Sequence, residues 1–338
     1  MSRPPKRRRE RANEAAAAAA AATQLERIPD AALPGIVVRA YGKFFDVRLR
    51  DEPRVLLSTV RGTVRRERRR SDLVAVGDRV WVTDVGEGEG QIEAIAPRGR
   101  VLARRARLTE DVEQVILANL DQALFLFSVR DPTPHPRMLD RFLVMAESRE
   151  LPALIGVNKM DLDEVAEDGA SLAKRIFSPY EAVYPVFYVS AASGLGVAEL
   201  KAAVEGKITA VAGPSGVGKS SLLNALDPDR IRDIGSLSLA TGKGRHTTIA
   251  TELWRLPGEQ ETYLADTPGI RSLALHGVAP EELDACFPEL RPYLGNCFYP
   301  DCTHLHEPDC AVRQAVADGD IPAVRYESYA ILRRGDDG

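Results

Sequence analysis

The chain has 338 residues, with 45 Lys+Arg against 49 Asp+Glu for a formal charge of −4, and 44% of its residues are hydrophobic. These proportions exclude wholesale disorder and a fibrous fold, and no stretch approaches the roughly 18–20 continuous apolar residues that a membrane-spanning helix needs. Four cysteines are too few for a disulfide scaffold in this length; their clustering late in the chain predicts a metal site and a reducing, cytoplasmic compartment.

The chain opens with Arg3, Lys6, Arg7, Arg8, Arg9 and Arg11, followed by Ala15–Ala22. An alanine run after Glu14 makes a poor apolar segment for export, so residues 1–33 read as a basic tail, disordered or transiently helical. Short β-prone runs follow: Gly35–Val38, Phe44–Leu49, Val55–Leu57, Val74–Val82 and Gln91–Ile95, separated by Gly, Asp and Pro turn signals. They predict a small β-barrel of the OB type over residues 34–100. The run Arg61–Arg70, with six Arg and one Glu, falls between strands, and Arg98, Arg100, Arg104, Arg105 and Arg107 follow the barrel. Basic blocks on a mildly acidic chain predict a polyanionic partner met locally.

Beyond Arg107, strand-like and helical patterns alternate: Gln122–Val129 then Met138–Glu147, Ala153–Val157 then Glu164–Ile176, Val186–Val189 then Val197–Val204, Ile208–Ala212 then Ser220–Leu226. Buried strands alternating with helices predict a doubly wound parallel α/β sheet over residues 101–275, with function on the loops at the carboxyl ends of its strands.

The motifs fall on those loops. Gly213-Pro214-Ser215-Gly216-Val217-Gly218-Lys219-Ser220 fits G-x-x-x-x-G-K-[ST] between a strand and a helix that opens with Ser221. Its glycines would let backbone N–H groups curl around phosphates, with Lys219 neutralising the β- and γ-phosphates and Ser220 ligating Mg²⁺. Asn158-Lys159-Met160-Asp161 fits N-K-x-D, where one carboxylate can accept from both donors on the edge of guanine; adenine has no such pair. Ser190-Ala191 resembles a further guanine-contacting loop. Asp266-Thr267-Pro268-Gly269 fits D-x-x-G, with Asp266 holding Mg²⁺ through water and the Gly269 N–H sensing the γ-phosphate. Between these lies Thr241–Thr248, a Gly- and Lys/Arg-rich stretch in which either Thr247 or Thr248 would complete the Mg²⁺ shell.

Order carries information too. Ras-like enzymes place the phosphate loop before N-K-x-D, whereas here the guanine motifs come first. The same sheet can be built by joining the old termini and opening the chain elsewhere, so the reading is a circularly permuted GTPase. Past it, Cys297, Cys302, His304 and Cys310 make a closed structural zinc set in a small helical domain over residues 276–338. His306 is a rival ligand read as exposed, and Cys286 is read as a buried apolar residue.

Barrel, permuted GTPase core and Cys3His domain together resemble the bacterial ribosome small-subunit-dependent GTPase family, from about Pro34 to Arg334. The resemblance implies binding of GTP and GDP, hydrolysis stimulated by the 30S subunit, and a late maturation role there as a checkpoint on the decoding region. It also implies contacts from the barrel and zinc domains to 16S rRNA. Ile270 stands where Ras-like enzymes carry the water-orienting Gln, and His246, before the switch threonines, resembles the group that replaces it. A monomer is expected. Two other readings stay open: a GTP-gated RNA-binding scaffold, and a GTPase acting on another RNA particle.

Overall fold

The computed structural model describes residues 28–62, 74–105, 113–167, 169–228, 251–266 and 278–335; side chains 104, 105, 113, 114 and 266 are not described. Most of the basic tail and most of the Arg61–Arg70 run lie outside the described residues, as do His246, Thr247, Thr248 and Gly269.

The chain divides into two compact units, one containing the described residues up to Asp121 with 251–255 and 261–266, the other containing the rest. In the first, β1 (Ala32–Tyr41), β2 (Phe44–Leu49), β3 (Val55–Val60), β4 (Arg79–Gly86) and β5 (Glu89–Ile95) close a barrel in the order β1-β2-β3-β5-β4. Only the β3–β5 pairing is parallel; the β1–β2, β2–β3, β4–β5 and β1–β4 pairings are antiparallel. This is the expected OB-type barrel. Alternation drives it: β2 buries Phe45, Val47 and Leu49 and turns the intervening residues outward. Those three join Val37, Leu56, Val80, Val82, Ile92 and Ile95 in one core. A register shift between Val37 and Arg39 bends β1 so that it pairs with β2 and β4 alike.

The barrel departs from the sequence reading in two places. The expected strand Val74–Val82 begins only at Arg79, because Asp78 accepts from the Ala75 N–H at 2.8 Å and from Arg98, folding the preceding residues into a turn. Past the barrel, β6 (Val101–Arg105) pairs antiparallel with β7 (Glu113–Ala118), a ribbon that the alternation of polar and apolar residues there did not signal. In the same unit β12 (Glu252–Leu256) and β13 (Thr262–Asp266) are tied to the barrel by charge. Arg39 of β1 donates to the Glu252 carboxylate, and Arg50 lies 3.6 Å from Glu261.

In the second unit, β8 (Gln122–Ser128), β9 (Ala153–Asn158), β10 (Val186–Tyr188) and β11 (Ile208–Ala212) run parallel in the order β10-β9-β8-β11. β8, β9 and β11 are buried along their whole length, as strands covered on both faces must be. Helices α1 (Pro136–Glu147), α2 (Leu172–Phe177), α3 (Val197–Val204) and α4 (Lys219–Leu226) follow the strands in turn. The expected helix Glu164–Ile176 contracts to α2. Gly169 adopts φ 79°, Val165 bridges to Ser171, and the Asp163 carboxylate accepts from the Ala173 N–H, fixing the start at Ser171.

The C-terminal segment, with α5 (Ala311–Asp318) and α6 (Ala323–Arg334), packs Leu283, Phe287, Leu290, Val312, Ile321 and Tyr329 against Val144 of α1. Within this contact Arg325 of α6, 1% exposed, donates to Asp140 of α1 and to Glu289, and lies 4.8 Å from the ring centroids of both Tyr180 and Phe287. Burial raises the Asp140 carboxyl above the ordinary carboxylate range, and the Arg325 charge opposes that. Among the described residues no helix is long and apolar enough to cross a membrane.

Candidate functional site

The phosphate-loop sequence lies between β11 and α4, as the motif requires. Gly213 is forced by space: a Cβ there would sit 2.0 Å from the Leu126 carbonyl oxygen. Gly218 is forced twice, by φ 90° and because its Cβ would lie 2.4 Å from Asn158 Nδ2. Val217 is buried, whereas Ser215, Gly216, Ser220 and Ser221 are exposed. Lys219 donates its Nζ to the Gly213 and Pro214 carbonyls at 2.9 and 2.6 Å, so the loop folds over its own cation.

Asn158 closes β9 and is 1% exposed. Its Nδ2 donates to the Val217 carbonyl at 2.9 Å, while its Oδ1 accepts from the Ala191 N–H at 3.1 Å. One amide thereby fastens three motifs that lie far apart in the chain. Lys159 takes the left-handed conformation at φ 63° and donates to the Asp131 carbonyl, and Met160 N–H bonds to the Val189 carbonyl at 3.1 Å. Asp161 is exposed and accepts from the buried Ser190 hydroxyl, which itself accepts from the Ser193 N–H at 3.1 Å. An exposed carboxylate held in the turn that follows β9 can accept a pair of donors from a base edge. The residues of 158–161, 190–191 and 213–221 are thus brought together, while Asp266 ends β13 and its side chain is not described.

Cys297, Cys302, His304 and Cys310 form a second cluster whose ligand atoms lie within 4.8 Å of one another, a set that could hold a metal ion. His304 Nδ1 is 3.5 Å from Cys297 Sγ and 3.4 Å from Cys310 Sγ, and the two sulfurs are 3.8 Å apart. Cys310 caps α5, its sulfur accepting from the Arg313 N–H. Burial works against the Cys297 thiolate, yet N–H groups of Ala311 and Val312 at the same helix start hold the thiol below its usual range. Burial would lower His304 too, but Asp284 and the sulfurs raise it to about 9. His306 is exposed and outside the cluster, and Cys286 is 5% exposed in the apolar core.

The residues that brace the Cys/His cluster carry no motif. Glu307 accepts from the Thr303, Leu305 and His306 N–H groups and from the Thr303 hydroxyl, and thereby shapes the turn between the ligands. Tyr326 and Tyr329 of α6 donate to the His304 and Thr303 carbonyls at 2.7 and 2.8 Å. No motif marks a carboxylate that binds backbone; its only signal is the stretch of non-apolar turn residues around it.

A family model described as RsgA GTPase matches residues 95–276. The small ribosomal subunit biogenesis GTPase RsgA of Gemmatimonas aurantiaca is 43% identical over 88% of this chain and 96% of its own length, and that of Chlorobaculum parvum 39% over 89% and 97%. Among solved structures, YjeQ from Thermotoga maritima superposes with a TM-score of 0.71 at 34% identity, covering 90% of this chain and 98% of its own. YloQ, titled a circularly permuted GTPase, gives 0.69 at 30% identity over 90% and 94%. A phosphate-loop sequence that follows the N-K-x-D sequence in the chain, yet is bonded to it through Asn158, fits such a permutation; the chain belongs to the RsgA GTPase family and is a GTPase.

Proposed function

We propose that the chain acts as a late assembly factor of the 30S ribosomal subunit, hydrolysing GTP to GDP and phosphate under stimulation by the ribosome. The observation that carries this reading is the Asn158 junction, which joins phosphate loop and guanine motif in a chain whose full-length relatives are named for small-subunit biogenesis. The arrangement in view is a basic tail over 1–33, an RNA-binding barrel over 34–100, the GTPase domain over 101–275 and a zinc domain over 276–338.

In this reading Asp161 accepts from the two guanine donors, with Asn158, Lys159, Met160, Ser190 and Ala191 shaping the base pocket. Gly213 to Ser221 wrap the phosphates, and Lys219 exchanges the Gly213 and Pro214 carbonyls for phosphate oxygens. Ser220, Asp266 and either Thr247 or Thr248 would hold Mg²⁺, which supplies charge neutralisation at the phosphates when bound. Gly269 senses the γ-phosphate, and His246 orients the attacking water in place of the glutamine that Ile270 replaces. Cys297, Cys302, His304 and Cys310 would hold one structural Zn²⁺. Bonds of about 2.3 Å to sulfur in a tetrahedron give edges near 3.8 Å, which supports zinc given the 3.8 Å between Cys297 and Cys310.

A cytoplasmic monomer contacting 16S rRNA through the barrel and zinc domain completes the proposal. Co-sedimentation with 30S, 50S and 70S particles at about 0.1 M salt in the presence of a non-hydrolysable GTP analogue tests it. Pelleting with 30S alone is expected; equal pelleting with all particles, or with none, refutes it.

A further inference from the structure

His304 is held from both sides of its ring. Nδ1 points at the sulfurs of Cys297 and Cys310, at 3.5 and 3.4 Å. Nε2, on the opposite edge, lies 3.7 Å from Asp284 Oδ2. The two nitrogens of an imidazole diverge, so the carboxylate that faces one cannot join the ligands gathered at the other. Asp284 stands outside the group of ligand atoms that lie within 4.8 Å of one another.

Both partners are fixed by more than this contact. Asp284 opens a tight turn, Asp284–Cys286, whose neighbours Leu283, Cys286, Phe287 and Leu290 are buried in the C-terminal core. Its other oxygen, Oδ1, accepts from the Ala285 N–H at 2.7 Å, which leaves Oδ2 aimed at the imidazole. His304 sits at φ 61°, with its carbonyl accepting from the Tyr326 hydroxyl at 2.7 Å. The backbone of His304 is thereby fixed, with its ring between the cluster and the carboxylate.

We propose that His304 binds the metal through Nδ1 and that Asp284 is the positioning residue that fixes this choice, its carboxylate 3.7 Å from Nε2 favouring the tautomer in which Nε2 carries the proton and the Nδ1 lone pair faces the sulfurs. The proposal rests on the metal reading given above. A neutral imidazole has one donor and one acceptor nitrogen, and a carboxylate beside one of them selects the tautomer in which that nitrogen carries the proton. Asp284 also places an anion beside a site rich in thiolates, so it does its work through geometry and ligand basicity, with no direct bond to the metal. Asp284 precedes the first ligand by thirteen positions, outside any Cys/His spacing rule, and only the fold joins them.

The test uses the full chain. Histidine labelled with ¹⁵N in protein loaded with ¹¹³Cd reports the ligating nitrogen by its coupling to the metal, and chelator competition reports zinc affinity. Coupling at Nδ1, with a slowly exchanging Nε2 proton, is expected in the wild type. Asp284→Ala should bind zinc about 10–100-fold more weakly and lose the slow Nε2 proton, and Asp284→Asn, which keeps an acceptor oxygen, should recover part of both. Coupling at Nε2 overturns the proposal and leaves the metal reading standing, as does wild-type zinc affinity in folded Asp284→Ala. A wild-type chain that binds neither metal overturns both. The wild-type spectrum stands even where a variant fails to fold.

Discussion

Replacing Arg325 by methionine removes the cation that two buried carboxylates share. Asp140 is 1% exposed and Glu289 9%, and both accept from the same guanidinium. Methionine fills much of the same volume, so the loss is electrostatic more than steric. Removing one partner of a buried ion pair costs about 3–5 kcal/mol, since the charges left behind keep their desolvation penalty. At roughly 2–4 °C per kcal/mol for a unit of this size, the melting temperature should fall by about 6–20 °C. Scanning calorimetry of the full chain measures it.

The deficit should also depend on pH in a set direction. Burial already raises the Asp140 carboxyl in the folded state, and removing Arg325 takes away the charge that opposes this. A carboxyl raised on folding binds its proton more tightly in the native state. The penalty for ionising it is thus absent below the unfolded value, about 3.9, and grows as pH rises to the folded one. The difference from wild type should be smaller at pH 5 than at pH 8. A drop under about 2 °C, or a deficit that grows on acidification, refutes the reasoning. Replacing Asp140 and Glu289 by apolar residues together with Arg325 should restore most of the loss.

Other substitutions separate the site's parts. Asn158→Ala removes the 2.9 and 3.1 Å bonds to Val217 and Ala191. At about 1 kcal/mol for each, it should weaken GDP binding by at least tenfold in calorimetric titration, with the barrel intact. Asp161→Asn puts an amide donor where guanine needs an acceptor. GTP affinity should fall by about 10² or more while xanthosine triphosphate, with a carbonyl at that edge, gains. Thiol labelling should distinguish the cysteines: a chelator exposes Cys297 to iodoacetamide first, whereas Cys286, which burial pushes up to about 11, stays unlabelled near pH 8 until the chain unfolds.

Elements whose physics is local were legible in the sequence. The alternation of β2 and the unbroken apolar runs of β8, β9 and β11 marked strands of two kinds, and strand-end motifs located Asn158, Asp161 and Gly213–Ser220. What stayed hidden depends on partners distant in the chain. The shortened α2 is set by the Ser171 hydroxyl, which accepts from the Lys174 N–H, and by Asp163, eight positions earlier, which accepts from the Ala173 N–H; a serine and an aspartate in a polar stretch do not announce these roles. Arg325 reads in sequence as one more basic residue of an amphipathic helix. Only its burial beside Asp140, 185 positions away, gives it a structural meaning. The Cys3His set was legible from spacing, but Asp284 and Glu307, which shape it, carry no spacing signal.

The central claim is that GTP hydrolysis by this chain answers to the small subunit. Steady-state GTPase turnover of wild type and Lys219→Ala, each with and without purified 30S subunits, tests it most directly. The prediction is slow intrinsic turnover, a rise of at least tenfold with 30S but not with 50S, and loss of both rates in Lys219→Ala. Wild-type turnover that 30S leaves unchanged, or that survives the loss of Lys219, contradicts the account.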